Sequence, residues 1–160
     1  MPRALRELGD AAARSELIAA ADHGETVLAE RAAFDAVPNW VDVTPGGFAA
    51  PVEHDYLSGY DANRVQLYLV WSRNAEHAAV KRSADMMARA DLAGHVAVMM
   101  TLAGEVQEQS NFAGYTALAE LATCRHPEEA EGALHDQPYY PATLELLTIL
   151  ASREGSACKP

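Results

Sequence analysis

Two histidines in this chain stand where acid–base chemistry would need them. His95 lies in DLAGHVAVMMTLAGEV, residues 91–106, an almost wholly apolar run with Asp91 four places before it. On a helix turning ~100° per residue, Asp91, Leu92, Val98, Met99, Leu102, Val106 and Gln109 share the side of His95. The ring then points into the apolar stripe, and burial favours the neutral imidazole that a general base or a metal ligand requires. Asp91 has two uses at this spacing. It orients the ring if the helix runs straight through, or it caps a helix start through the amides of Ala93 or Gly94. Capping fits better, because the helical pattern is interrupted at Ala90–Asp91.

His54 stands between Glu53 and Asp55. Adjacent carboxylates favour the imidazolium and suit proton transfer at a pocket rim; Asp55 would otherwise cap a following turn. These two histidines are the candidate catalytic residues. Trp40, Phe48 and Tyr56 are the candidate roof of a ligand pocket, with Met99 beside His95 as a further lining residue. The remaining polar groups offer less. His77 falls with Asn74, Lys81 and Asp85 on a polar helix face and is expected to be solvated. His23 and His126 read as helix-boundary residues, and His135 as the end of a short acidic helix. Cys124 is followed by Arg125 and His126, cations that would lower a thiol pKa, but without a glycine-rich anion cradle it reads as a half-buried structural thiol. No HExxH motif and no paired ExxH unit is present, so neither a metal nor a cofactor is expected. Met86, Met87, Met99 and Met100 read as adaptable core or interface filling.

The elements that must position these residues are constrained by composition. With 160 residues, 49% of them apolar, the chain is expected to form one domain with a real core. Twelve Lys and Arg against 23 Asp and Glu leave a formal charge of −11. Phosphate backbones and anionic lipid would repel such a surface, so neither nucleic acid nor a membrane is an expected partner. Surplus carboxylate serves solubility, and it also suits contact with basic proteins. Two cysteines make no disulfide framework, the N-terminus resembles neither a secretory nor a transit signal, and no segment approaches ~20 apolar residues. The expected setting is cytoplasmic.

Alanine-rich segments of helical period fill most of the chain. Helices are expected over 4–33 (with a break near His23–Gly24), 61–90, 92–109, 112–124, 128–135 and 142–153, and a flexible tail over 155–160. Proline signals support the last two: Pro127 with Glu128 and Glu129, and Pro141. Residues 40–43, WVDV, alternate but are too short to carry a sheet. The exception is 35–60, where three prolines and Gly46–Gly47 forbid a helix while aromatic residues argue for order. An ordered lid or strap is expected there. The resulting expectation is an all-α, single-domain helical bundle of about five to seven helices, with a long aromatic loop after the first. Functionally, the chain fits a small acidic protein acting through protein–protein contacts, with a partner protein or as a homodimer. The alternative is a bundle enzyme or binding protein for a small apolar ligand, with a pocket beneath 35–60 and a buried histidine.

Overall fold

In the computed structural model, residues 2–125 and 136–155 are described. The helix expected over 128–135, His126, His135 and the tail beyond Gly155 lie outside them. The described chain is not an all-α bundle. Its element order is α1 (Pro2–Ala11), α2 (Ser15–Ala32), β1 (Asp42–Thr44), β2 (Gly47–Ala49), β3 (Leu57–Ser58), α3 (Asn63–Trp71), α4 (Ala78–Met87), β4 (Val96–Thr101), β5 (Val106–Ser110), α5 (Ala113–Ala122) and α6 (Tyr139–Glu154). Strands β1 and β2 form a hairpin, and β3, β4 and β5 form a separate antiparallel sheet in that order.

The largest correction falls on 92–109, expected as a helix and folded as the β4–β5 hairpin. Gly94 and Gly104 take φ of 75° and 93°, which end any helix on either side of VAVMMT. Val96 pairs with Ser110 and Met100 with Val106, with irregular register around Met99. Strand β4 is covered on both faces. Val96 and Val98 meet the main core, while Ala97 and Met100 meet a second cluster with Ala36 and Met86. A strand buried on both faces shows no polar alternation, and its apolar run is indistinguishable by period from a buried helix.

Smaller corrections have similar causes. The break in the first helical stretch lies at Ala12–Arg14, where Ala13 takes φ 52°; His23 and Gly24 sit inside α2. Stretch 61–90 is two helices, separated where Arg73 takes φ 63°. WVDV contributes to β1, and the loop 35–60 carries three strands rather than none. The TPGG turn explains the β1–β2 hairpin. Pro45 presets its own φ, Gly47 supplies φ 112°, and the Thr44 hydroxyl donates to the Gly47 carbonyl at 2.9 Å.

The main core joins Leu67, Leu69 and Val70 of α3, Val80 and Met87 of α4, Leu118 and Leu121 of α5, and Leu144 and Ala151 of α6. Helices α5 and α6 approach so closely that a Cβ on Gly114 would collide with the Pro141 backbone carbonyl. Helices α1 and α2 form an antiparallel flap, fastened by Arg6 to Asp22 and Glu25, both at 2.7 Å. No described helix is long and apolar enough to cross a membrane.

Candidate functional site

Residues 40–54 leave the body as one excursion with a fixed neck. At the neck the Ala36 amide donates to the Leu102 carbonyl at 3.0 Å and the Asn39 amide to the Leu57 carbonyl at 2.8 Å. The Asn39 side-chain oxygen accepts from the Gly59 and Ala62 amides at 2.9 and 3.1 Å. Arg31 donates to the Tyr56 hydroxyl at 3.1 Å. Beyond the neck the described contacts turn inward. Trp40 stacks on His54 with ring centroids 4.5 Å apart and planes 20° from parallel, and the Val52 amide donates to Asp42 Oδ2 at 3.1 Å.

The excursion holds its apolar side chains out to solvent. Val43 is 79% exposed, Val52 88%, Trp40 49% and Phe48 41%. Between Arg31 and Arg64 the sequence has no lysine or arginine, whereas Asp35, Asp42, Glu53, Asp55 and Asp61 are all acidic. The surface is therefore apolar at its crest and negative around it.

A concavity lies where β5, α5 and the start of α6 meet. A cleft of about 540 Å³ is lined by Tyr60, Tyr115 and Tyr140 together with Phe112, Glu108 and Pro141. The three tyrosine rings form a triangle with centroid separations of 5.8, 6.2 and 6.4 Å. Tyr60 donates its hydroxyl to Glu108 Oε2 at 2.5 Å, and Tyr140 donates to the Tyr60 carbonyl. All three phenols are held protonated well past neutrality. The bond to Glu108, and then burial, push Tyr60 up to about 12; burial is the leading cause for Tyr115 and Tyr140, which reach about the same value.

A smaller cleft of about 250 Å³ under α1 is a fastening. The Arg3 guanidinium lies 5.9 Å from the Trp71 ring centre and 2.8 Å from Glu154, which also accepts from the Trp71 indole at 2.9 Å. Those donors, Trp71 first, hold the Glu154 carboxyl below its ordinary range.

The candidate residues from the sequence are dispersed. Trp40, Phe48 and His54 share the excursion, Tyr56 sits at its neck, and Met99 is half-buried in β4. His95 is not on a helix stripe. It sits half-exposed in the turn before β4, with Nδ1 3.1 Å from the Ala93 carbonyl oxygen. Asp91 neither orients that ring nor caps a helix: its carboxylate accepts from Gln109 Nε2 at 2.5 Å, fastening the turn to β5. His95, Trp40, Phe48 and Tyr56 line none of the clefts above. Beneath the base of the strap, the space bounded by Ala36, Ser58, Asn63, Met86 and Met100 admits no water-sized sphere. Among the described residues no three His, Cys, Asp or Glu side chains converge as a metal cluster would.

Two residues have roles that differ from expectation. His77 is not free on a polar face but caps α4: Nδ1 accepts from the Ala79 amide at 3.1 Å, and Nε2 lies 3.0 Å from the Glu25 carbonyl oxygen. Accepting at Nδ1 leaves Nε2–H to donate, which fixes the neutral tautomer. Cys124 is exposed and disulfide-bonded rather than a half-buried thiol; the chain's other cysteine, Cys158, lies outside the described residues. The tyrosine cleft was missed because its rings come from a post-strand loop and two helices, with no common spacing to mark them. No known protein family, characterised protein or solved structure matches this chain.

Proposed function

We propose that this protein works by protein–protein contact, presenting the 40–54 excursion to a basic partner that carries apolar side chains. The observation supporting this is the excursion itself, a hairpin on a fixed neck with Val43, Val52, Trp40 and Phe48 exposed and Asp42, Glu53 and Asp55 as the carboxylates of that stretch, with no lysine or arginine between residues 31 and 64. An apolar crest inside a polar rim is the anatomy of an interface centre. The charge selects the occupant: lysine and arginine would be attracted, and association would quicken at low salt. A second copy of this chain fits less well, since two excursions face to face would bring Asp42, Glu53 and Asp55 onto their counterparts.

The reading with a histidine-centred pocket beneath 35–60 is not carried forward, because His95 is in a surface turn and the space at the base of the strap has no room for a water-sized sphere. A cytoplasmic setting is not carried forward either. The disulfide at Cys124 fits an oxidising compartment better.

The test is affinity capture from the source cells with the wild-type chain and with a Val43→Asp, Val52→Asp double variant. The wild type should retain a basic protein that salt releases and the variant should lose it. In a Trp71→Phe background, Trp40 fluorescence should shift when that partner is added. An acidic partner, a partner held equally by the variant, or no partner at all would refute the reading. Self-association abolished by the double variant would replace the basic partner with a second copy.

A further inference from the structure

The cleft at Tyr60, Tyr115 and Tyr140 lies outside the excursion, and its chemistry differs. Its walls combine four aromatic side chains (the three tyrosines and Phe112) with a single ionisable carboxylate, Glu108. The lining contains no cation. The Arg64 guanidinium, whose charge reaches Tyr140, is paired with Asp61. Glu108 is exposed and uses Oε2 to accept from Tyr60, leaving Oε1 without a hydrogen-bond partner among the described residues.

We infer that this cleft is a binding site for an organic ammonium ion, a methylated amine seated against the tyrosine rings with Glu108 as its counter-charge. Aromatic faces carry negative quadrupole density, and a bulky, weakly hydrated cation loses little solvation on entering such a site. A carboxylate next to the rings adds attraction for the cation and repels anions. The phenols stay neutral across the physiological range and are held in place: Tyr60 through Glu108, Tyr140 through the Tyr60 carbonyl. Two of the rings, Tyr60 and Tyr140, are therefore held in position, and Tyr115 is buried against them; this preorganisation lowers the entropic cost of binding. A simple metal ion would find one carboxylate and no further charged oxygen. A purely apolar ligand would leave Glu108 unused.

The same methylammonium chemistry occurs on free small molecules and on methylated lysine side chains, so the experiment uses both. Choline, its uncharged carbon isostere dimethylbutanol, and a short peptide bearing trimethyllysine are each titrated into the full chain and followed by amide chemical shifts. Choline or the peptide should saturate, with shifts centred on Tyr60, Glu108 and Tyr115. The isostere should bind at least about fivefold more weakly, the size expected for loss of a partly desolvated cation–π contact. Glu108→Gln should weaken the cation about threefold or more and leave the isostere unchanged. Tyr60→Leu should weaken both cation probes while Tyr60→Phe, which keeps the ring, retains most of the affinity. Binding of the peptide alone would assign the site to a protein-borne ammonium, and binding of choline alone to a free one. Equal affinity for the isostere, or no saturation by either cation at tens of millimolar, would overturn the inference.

Discussion

Raising the pH places a specific load on the tyrosine cluster. The Tyr60, Tyr115 and Tyr140 phenols are pushed up to about 12 from an ordinary value near 10. In the unfolded chain they release their protons first. Between about pH 10 and 12 the native state therefore holds more protons than the unfolded state, and stability falls as pH rises. The stabilisation is complete below the unfolded value and is lost as pH passes through the folded one. Tyr115 is nearly buried, and its share of the loss is about 1.4 kcal/mol at about pH 11. Tyr140 and Tyr60 are part-exposed and electrostatically coupled to this cluster, so their shares are discounted for solvent screening and do not simply add. The loss, on the order of 2 kcal/mol by about pH 11, is a sizeable part of the 5–15 kcal/mol typical of a domain. Urea denaturation followed by circular dichroism across this range measures it, with phenolate absorbance reporting ionisation directly. Tyr115→Phe keeps the ring and deletes the proton, so its stability should fall less steeply, by about 1.4 kcal/mol per pH unit. Coincident slopes for wild type and variant, or ionisation of every tyrosine near 10 with the fold intact, would refute the reasoning.

Three further outcomes follow from packing and capping. Leu118→Ala empties a fully buried position of α5 in the main core and should cost about 2–5 kcal/mol by chemical denaturation; a loss under about 1 kcal/mol would contradict that core assignment. Gly114→Ala drives a methyl into the Pro141 carbonyl, so α5 and α6 must separate at a cost of about 1–3 kcal/mol or more, read as a lowered Tm. His77→Ala should lose about 1–2 kcal/mol through the α4 cap and the link to Glu25, and His77→Asn, which still caps, should recover part of it.

What the sequence revealed depended on whether an element showed one face or two to the core. Helix α6, with Pro138 and Pro141 at its start, was legible to within a few residues. The exclusion of a helix from 35–60 was legible too, because Pro45, Gly46 and Gly47 act locally. Strand β4 was not, since a strand apolar on both sides carries no alternation, and Met99–Met100 in the middle reads equally well as helix. A helical reading of β4 carries with it both the all-α expectation and the position of His95 on a buried stripe. The aromatic strap stood out through Trp40 and Phe48, although its direction, outward instead of over a pocket, depends on a neck that Asn39 closes across distant residues. The tyrosine cleft exists only once β5, α5 and α6 are assembled.

The neck at Asn39 has a consequence for how this molecule can change. Its hydrogen bonds run to Leu57, Gly59 and Ala62, and the Trp40–His54 stack seals the excursion just beyond them. Neither hydrophobic cluster of the body draws a residue from 41–53. Substitutions there should leave the helices and the β3–β5 sheet undisturbed, so the proposed contact surface can be varied separately from the body. The excursion is in effect an interchangeable cassette on a stable mount, and a different hairpin spliced between Trp40 and His54 should be accepted by the same scaffold.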